Sequence, residues 1–305
     1  MTAVRFHRFV QGLALCGLLL ASPVAQSADP FQLVVMDPLS EPLSCDCVKG
    51  YAQRKYELLG EFLSEQLGVP VNVTWHESLA EAVKETDGQF DLVIGKHSVV
   101  LYDAKELKRK VQPIARLTGK TGEVVQQGLV VVRSQDKAAK LSDLQGYQLF
   151  LGPEEAEEKS SAPRALLKLS GVTTSGNCKT FGACSEAAVA LMKLPEDAKA
   201  AAVISSYAEP LLEGCGSIQK GDLRVLGKTK DVPFITAFVP SETSKTRRKQ
   251  LDEALQLVAT KPKLLVGLET LVGFEPWTSE KEAKPTKSLK AVEGDTKGLK
   301  KKALK

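Results

Sequence analysis

The sequence contains no long apolar run beyond its first 27 residues, and it contains few aromatic side chains. Without a further run of about 18 apolar residues, the chain after Ser27 is not expected to cross a membrane. Aromatic residues make up only 6% of the chain, and no basic domain accompanies them. Binding to nucleic acid is therefore not expected either.

The middle of the chain has no excess of positive charge, although the whole sequence has a formal net charge of +4. The segment 278–305 holds nine lysines against four acidic residues, and two arginines lie within the first 27 residues. Residues 28–277 are left with 30 basic and 33 acidic side chains. The basic balance therefore comes from the ends. The lysine-rich segment 278–305 lacks an apolar stripe and is predicted to be a disordered tail.

The first 27 residues have the pattern of an export signal. Arg5 and Arg8 precede an apolar run that is too short to span a membrane comfortably, and Ala25-Gln26-Ser27 supplies small residues for cleavage. We expect residues 1–27 to be a signal peptide and the remainder to be an exported, soluble protein of the periplasm or an equivalent compartment.

The segment after the signal alternates between strand and helix patterns. Apolar runs at 31–36, 71–75 and 91–95 predict buried strands. Leucines spaced along 56–67 predict a helix that Gly68 ends, and Ser78 with Glu81 forms a capping box for the next helix. This β-α-β-α-β succession predicts a parallel sheet with helices on its faces.

The same alternation starts again after Gly119. Strands are predicted at 128–133, 147–152, 199–205 and 234–240, and helices at 161–170, 185–194, 207–213 and 244–260. The sequence therefore predicts an α/β protein with two lobes, each a mostly parallel sheet flanked by helices. Lobe 1 would comprise 28–118 plus 230–277 and lobe 2 would comprise 119–229, with a hinge near 118–128 and 229–234 and a ligand cleft between the lobes.

Several landmarks in this order resemble one known family. They are YELLGEFLSEQLGVPV, DLVIGKHSVV, GLVVVRSQDKAAKLSDLQGYQLFLG, AAAVISSYAEPLLE and VGFEPW, and they span about residues 31–277. The sequence resembles the phosphate- and phosphonate-type periplasmic solute-binding proteins of ABC importers, which have the type II two-lobed fold. The resemblance implies a monomeric receptor without a cofactor and without catalysis. Such a receptor would bind a small phosphate- or phosphonate-like oxyanion and deliver it to a membrane permease.

The resemblance also implies which residues bind the solute. Loops at the carboxyl ends of strands and at helix starts would supply them, because backbone N–H groups and the helix dipole favour anions there. Four glutamates, at 154, 155, 157 and 158, depart from the family pattern and would repel an oxyanion unless they face water. The implied ligand-binding residues are Ser44, Cys45, Cys47, Lys96, His97, Ser98, Ser160, Ser161, Ser205, Ser206 and Tyr207.

A metal site is the alternative that the residue chemistry supports. Cys45 and Cys47 follow the first strand, His76 follows the second and His97 follows the third, so all four belong to one edge of a parallel sheet. Two thiolates with two imidazoles would suit Zn(II), and the thiolates would suit Cu(I). A third and weaker hypothesis is an enzyme in which Cys47 is the nucleophile and His97 the base.

The remaining cysteines raise the question of disulfides. Five cysteines follow the signal peptide, so an oxidising compartment would leave at least one without a partner inside the chain. Cys178 with Cys184, or Cys184 with Cys215, would link loops of lobe 2. The close spacing of Cys45 and Cys47 disfavours a disulfide between them.

Overall fold

The computed structural model describes residues 29–45, 48–50, 52–174 and 176–278. The predicted signal peptide, most of the predicted tail and Cys47 lie outside these ranges. The helices are α1 Tyr56–Leu67, α2 Leu79–Glu85, α3 His97–Glu106, α4 Ser161–Leu169, α5 Cys184–Met192, α6 Ala208–Gly214, α7 Lys245–Leu257 and α8 Pro262–Gly267. The strands are β1 Phe31–Met36, β2 Val71–Trp75, β3 Leu92–Lys96, β4 Val111–Leu117, β5 Val125–Gln126, β6 Gly128–Arg133, β7 Gln148–Leu151, β8 Cys178–Thr180, β9 Ala200–Ser205, β10 Leu223–Lys228, β11 Val232–Pro233, β12 Ile235–Pro240 and β13 Phe274–Pro276.

Two separate sheets organise the chain. The first has six strands in the order β13-β4-β12-β3-β1-β2, and with its helices it is called lobe 1 below. The second has five strands in the order β10-β6-β9-β7-β8, and with its helices it is called lobe 2. The short strands β5 and β11 pair antiparallel where the chain passes between the two sheets. The predicted two-lobed α/β fold is confirmed.

Each sheet is mixed rather than parallel throughout. In lobe 1, β1 pairs with β2 and β3 in parallel, whereas β12 runs antiparallel to both β3 and β4. In lobe 2, β7 pairs with β8 and β9 in parallel, and β6 runs antiparallel to β9. The antiparallel strands β6 and β12 are the ones that the chain enters directly after each passage between the sheets.

Local sequence signals account for the helix ends of lobe 1. Gly68 adopts φ 68° at the end of α1, a left-handed conformation that glycine tolerates without steric cost. The Ser78 side chain accepts a hydrogen bond from the Glu81 amide at the start of α2, as the predicted cap requires. Tyr56, Leu59 and Leu63 of α1 are fully buried in the lobe 1 core. No helix within the described residues is long and apolar enough to cross a bilayer.

The strand pattern did not predict β4. This strand is interrupted by Pro113, which has no N–H to donate, and the pairing with β12 shifts register between Ala237 and Phe238 at that point. Only Ala115 and Leu117 of β4 are buried. The apolar signal of the strand is therefore weak, although it joins β12 to β13 in the sheet.

Candidate ligand-binding cleft

A cavity of about 480 Å3 lies between the two lobes. Lobe 1 contributes the segments that follow β1, β2 and β3, and lobe 2 contributes the segment after β7 and the starts of α5 and α6. The cavity therefore lies at the carboxyl ends of strands, where parallel α/β sheets bind their ligands. The lining includes His76, Lys96, Glu155, Lys159, Cys184 and Tyr207.

Lys96 lies at the end of β3 and is bound by a carboxylate from the other lobe. Its Nζ is 2.5 Å from Glu158 Oε1, and both side chains are almost completely buried. Ser205, the last residue of β9, donates its hydroxyl to the same oxygen at 2.6 Å. Lys96 is therefore part of an interlobe ion pair, and its charge is already neutralised within the protein.

Glu158 lies in the 3-10 turn Glu157–Lys159, which packs closely against the sheet of lobe 2. A Cβ added at Gly128 would come within 1.8 Å of the Glu158 carbonyl, so only glycine permits this approach. Burial alone would raise the pKa of the Glu158 carboxyl, but the charge of Lys96, the hydrogen bonds from Lys96 and Ser205, and the charge of Lys159 together lower the pKa below its ordinary value. Glu158 is therefore a buried carboxylate and does not face water.

Ser98 of α3 also contacts this turn. Its hydroxyl accepts a hydrogen bond from the backbone N–H of Glu157 at 3.2 Å. Three of the predicted solute ligands, Lys96, Ser98 and Ser205, thus meet at one place, but there each of them bonds to residues 157–158. All three residues belong to the predicted set of solute ligands, whereas the protein group that they contact here was not predicted.

The other predicted ligands of lobe 2 have different surroundings. Ser160 is buried at the start of α4, whereas Ser161 is exposed. Ser206 exchanges hydrogen bonds with Gln127, since its hydroxyl accepts from the Gln127 N–H at 3.1 Å and its own N–H donates to the Gln127 carbonyl. Tyr207 lines the cavity and stacks on Phe234, with ring centroids 4.6 Å apart. Of these four residues, Tyr207 is the one that lines the cavity.

The loop after β1 brings Cys45 to the cavity, where its side chain is exposed. Ser44 lies further back, where its hydroxyl donates to the Glu41 carbonyl and accepts from Gln53. Cys45 is disulfide-bonded. A disulfide sulfur is not a thiolate, so Cys45 is not available as the ligand that the metal hypothesis requires. The nucleophile of the enzyme hypothesis, Cys47, lies outside the described residues.

The two histidines belong to different environments. His76 lines the cavity, is buried, and has Nε2 3.9 Å from a Glu85 oxygen. His97 stacks on Trp277 with ring centroids 5.0 Å apart, and its Nδ1 lies 3.2 Å from the Thr236 hydroxyl. Burial lowers the pKa of His97 to about 4. No cluster of three or more metal-ligating side chains occurs in the described part of the chain.

The predicted disulfides of lobe 2 are wrong. Cys178, Cys184 and Cys215 are all free thiols. Cys178 donates to the Thr174 carbonyl, Cys184 contacts Ser205, and Cys215 lies 3.0 Å from the Ser217 hydroxyl. Each thiol therefore has its own local partner, and the lobe is held together by its sheet and by its apolar core.

Two features of the cavity escaped the sequence analysis. Lys159 is buried, lines the cavity and donates to the Gly182 carbonyl at 2.6 Å, but has no carboxylate partner among the described residues. The start of α5, including Cys184 and Ser185, also lines the cavity. The first amides of a helix have no backbone acceptor within the helix and can donate to an anion. At α5 the Ala183 N–H already donates to the Glu186 carboxylate at 3.2 Å, so the amides of Cys184 and Ser185 that follow it lie beside a carboxylate. Lys159 directly follows Glu157 and Glu158, two of the four glutamates of the segment 154–158.

A buried polar cluster lies beneath the loop that follows β1. Asp37 Oδ2 accepts hydrogen bonds from Arg54 at 2.8 Å and from the Tyr56 hydroxyl at 2.6 Å. The Arg54 guanidinium lies 5.7 Å from the centroid of Phe234, the ring on which Tyr207 stacks. Burial, followed by the charge of Asp37, raises the pKa of Tyr56 well above its ordinary value. Through Phe234, this cluster contacts Tyr207 of the cavity wall close to the passage between the lobes.

The chain is similar to known proteins in sequence pattern and in fold. A family model described as the periplasmic phosphonate substrate-binding protein of ABC transporters matches residues 50–281. No curated protein sequence matches the chain.

Three solved structures illustrate the similarity in fold. XAC2383 from Xanthomonas citri, bound to ATP, has a TM-score of 0.64 at 15% identity, covering 82% of this chain and 92% of that one. A binding protein of an ABC phosphonate transporter from Pseudomonas aeruginosa has a TM-score of 0.60 at 14% identity, covering 81% and 82%. PhnD1 from Prochlorococcus marinus, in complex with methylphosphonate, has a TM-score of 0.58 at 16% identity, covering 82% and 93%. At these identities the likeness shows the fold alone.

Proposed function

The chain belongs to the family of periplasmic phosphonate substrate-binding proteins of ABC transporters, and from that membership we propose that it binds a small phosphate- or phosphonate-like oxyanion between its lobes. The observation that carries the proposal is the cavity of about 480 Å3, lined by both lobes at the ends of their strands. A cavity of this size suits a small molecule.

Two groups of lobe 2 are proposed to hold the oxyanion. Lys159 supplies a positive charge at the cavity wall, although it also interacts with the Glu158 carboxylate, and the amides of Cys184 and Ser185 supply N–H donors at the favourable end of the α5 dipole. Tyr207, Cys45 and His76 would close the remaining walls. Some predicted ligands, such as Ser44 and Ser161, do not line this cavity. They would contact a solute only in a different arrangement of the lobes.

The mechanism proposed is capture by closure of the lobes. The ranges 28–118 plus 230–277 and 119–229 would move as two bodies about the β5–β11 pair. The closed form would then dock on a membrane permease. In this proposal the protein acts as an exported monomer in the periplasm and carries out no catalysis, because its task is to bind the solute and release it.

Isothermal titration calorimetry tests the proposal most directly. The exported form, without residues 1–27, is titrated with phosphate, phosphite, methylphosphonate and dimethyl phosphate at low salt. We expect a dissociation constant of about 10 μM or lower for at least one probe, and a loss of about tenfold or more in Lys159→Met. Lys249→Met, which alters an exposed lysine of α7, serves as the matched control. Absence of binding by all four probes would refute the proposed solute class.

A further inference from the structure

Glu158 takes up the hydrogen bonds that the sequence assigns to the solute. Lys96 Nζ and Ser205 Oγ converge on its Oε1 at 2.5 Å and 2.6 Å. Donation by an ammonium and a hydroxyl to one negatively charged oxygen is the arrangement that binds an oxyanion in proteins. The Glu158 carboxylate therefore stands, within the protein, for one anionic oxygen of a ligand.

The position of this carboxylate is demanding for the fold. Glu158 is 0% exposed, and its second oxygen, Oε2, is buried without a hydrogen-bond partner among the described residues. The turn that carries it fits only because residues 128 and 152 are glycines, since a Cβ at Gly152 would lie 2.3 Å from Lys159. A buried carboxylate with a spare acceptor costs free energy compared with an apolar side chain of similar size.

The pairing changes the charge that a solute meets in the cavity. Lys96 and Lys159 both line the cavity. Glu158 pairs with Lys96 and also interacts with the charge of Lys159, so these three groups together leave one net positive charge. Three further carboxylates belong to the lining, at Glu77, Glu155 and Glu186. A solute with two negative charges would face one net positive charge and three acids. A solute with one negative charge meets a smaller repulsion.

We infer that Glu158 determines the charge specificity of the cavity: as a built-in anion it makes the site prefer a monoanionic oxyanion, such as a phosphate or phosphonate ester, over a dianionic one. The inference rests on the proposed function and makes it more specific. It also assigns a purpose to the glutamate-rich segment that departs from the family pattern, because the residue of that segment that enters the protein interior is the one that neutralises Lys96.

The experiment compares two probes that differ in charge. At pH 8 methyl phosphate is a dianion, because the second pKa of a phosphate monoester is about 6, whereas dimethyl phosphate has no second proton and is a monoanion. Calorimetry on the wild-type protein is expected to show dimethyl phosphate binding about tenfold more tightly or better. In Glu158→Gln, where the amide oxygen still accepts from Lys96 and Ser205 without the charge, the preference is expected to fall by about tenfold, equivalent to about 1.4 kcal/mol.

Glu155→Gln is the matched control. It removes the same charge from the same cavity, but Glu155 forms no ion pair with Lys96. We expect Glu155→Gln to change the preference by less than about threefold, because ordinary repulsion in the partly solvated lining is screened. Comparing the ratio of the two affinities between proteins cancels the effect of the extra methyl group on dimethyl phosphate.

Each outcome decides the matter. The inference is overturned if the wild-type protein prefers methyl phosphate, if Glu158→Gln leaves the preference unchanged, or if Glu155→Gln changes it as much. The wild-type comparison needs no variant, so a preference of the wild-type protein for methyl phosphate would still overturn the inference if Glu158→Gln does not fold. If neither probe nor any other oxyanion binds the wild-type protein or Glu158→Gln, the proposed function itself fails, which is distinguishable from a mistaken role for Glu158.

Discussion

The interlobe ion pair gives the sharpest prediction about stability. Lys96→Met removes the ammonium and leaves Glu158 as a buried carboxylate without its ion-pair partner, stabilised by the Ser205 hydroxyl and by the charge of Lys159. Removing one partner of a buried ion pair costs about 3–5 kcal/mol. At about 2–4 °C per kcal/mol for a domain of this size, the melting temperature should fall by roughly 6–20 °C. Thermal and urea unfolding followed by far-UV circular dichroism measures the loss.

Two further variants separate the charge from the packing. Lys96→Met combined with Glu158→Gln removes both charges and is expected to recover at least half of the lost stability, because no unpaired charge remains buried. Lys249→Met, which breaks an exposed pair with Glu253 at 3.6 Å, should cost less than about 0.5 kcal/mol. The ion pair does not stabilise the fold as proposed if Lys96→Met loses no more unfolding free energy than Lys249→Met. The same conclusion follows if the double variant is no more stable than Lys96→Met.

The dependence of stability on pH adds a second readout of the same pair. Because the folded-state pKa of Glu158 is lowered, its contribution to stability is fully present above the ordinary pKa of about 4.3 and is lost as pH falls through the lower folded value. In Lys96→Met, burial is opposed only by the Ser205 hydrogen bond and the charge of Lys159, so the pKa of Glu158 should be higher than in the wild-type protein. The stability deficit of this variant should therefore shrink as pH falls, because protonation removes the unpaired charge.

Three further predictions concern other parts of the structure. Tyr56→Phe removes the 2.6 Å hydrogen bond to Asp37 and should cost about 1.5–3 kcal/mol in urea unfolding, whereas a loss below about 0.5 kcal/mol would contradict the importance of the buried cluster. Gly128→Ala places a Cβ against the Glu158 carbonyl. We therefore expect weaker solute binding by calorimetry and a lower melting temperature. If both values are unchanged, the turn Glu157–Lys159 does not pack against residue 128. His97 should titrate near pH 4 by NMR, because burial lowers its folded-state pKa. Its neutral form stabilises the fold at pH 7, and that contribution is lost as pH falls from about 6.5 towards 4. Titration near pH 6.5 would place the ring in solvent.

The order of helices and strands was predictable from the sequence because its signals are local. Apolar residues at 31 and 33–36 identify β1, and Gly68 and Ser78 mark the helix boundaries by their own conformational preferences. The strand β4 was missed because Pro113 and its half-buried neighbours weaken the apolar pattern. Its place in the sheet depends on pairing with β12, more than a hundred residues later in the chain.

The chemistry of the cleft depended on contacts that no local pattern contains. The sequence indicated that Lys96, Ser98 and Ser205 would lie near one another, because the ends of strands and the starts of helices meet at the edges of sheets. It did not indicate that Glu158, 62 residues after Lys96, would turn inward and pair with it. That choice depends on how closely the turn Glu157–Lys159 approaches Gly128, which is a property of the packed lobe. A glutamate side chain is usually solvated. Glu158 became part of the site because the tertiary structure buries it beside a lysine of the other lobe.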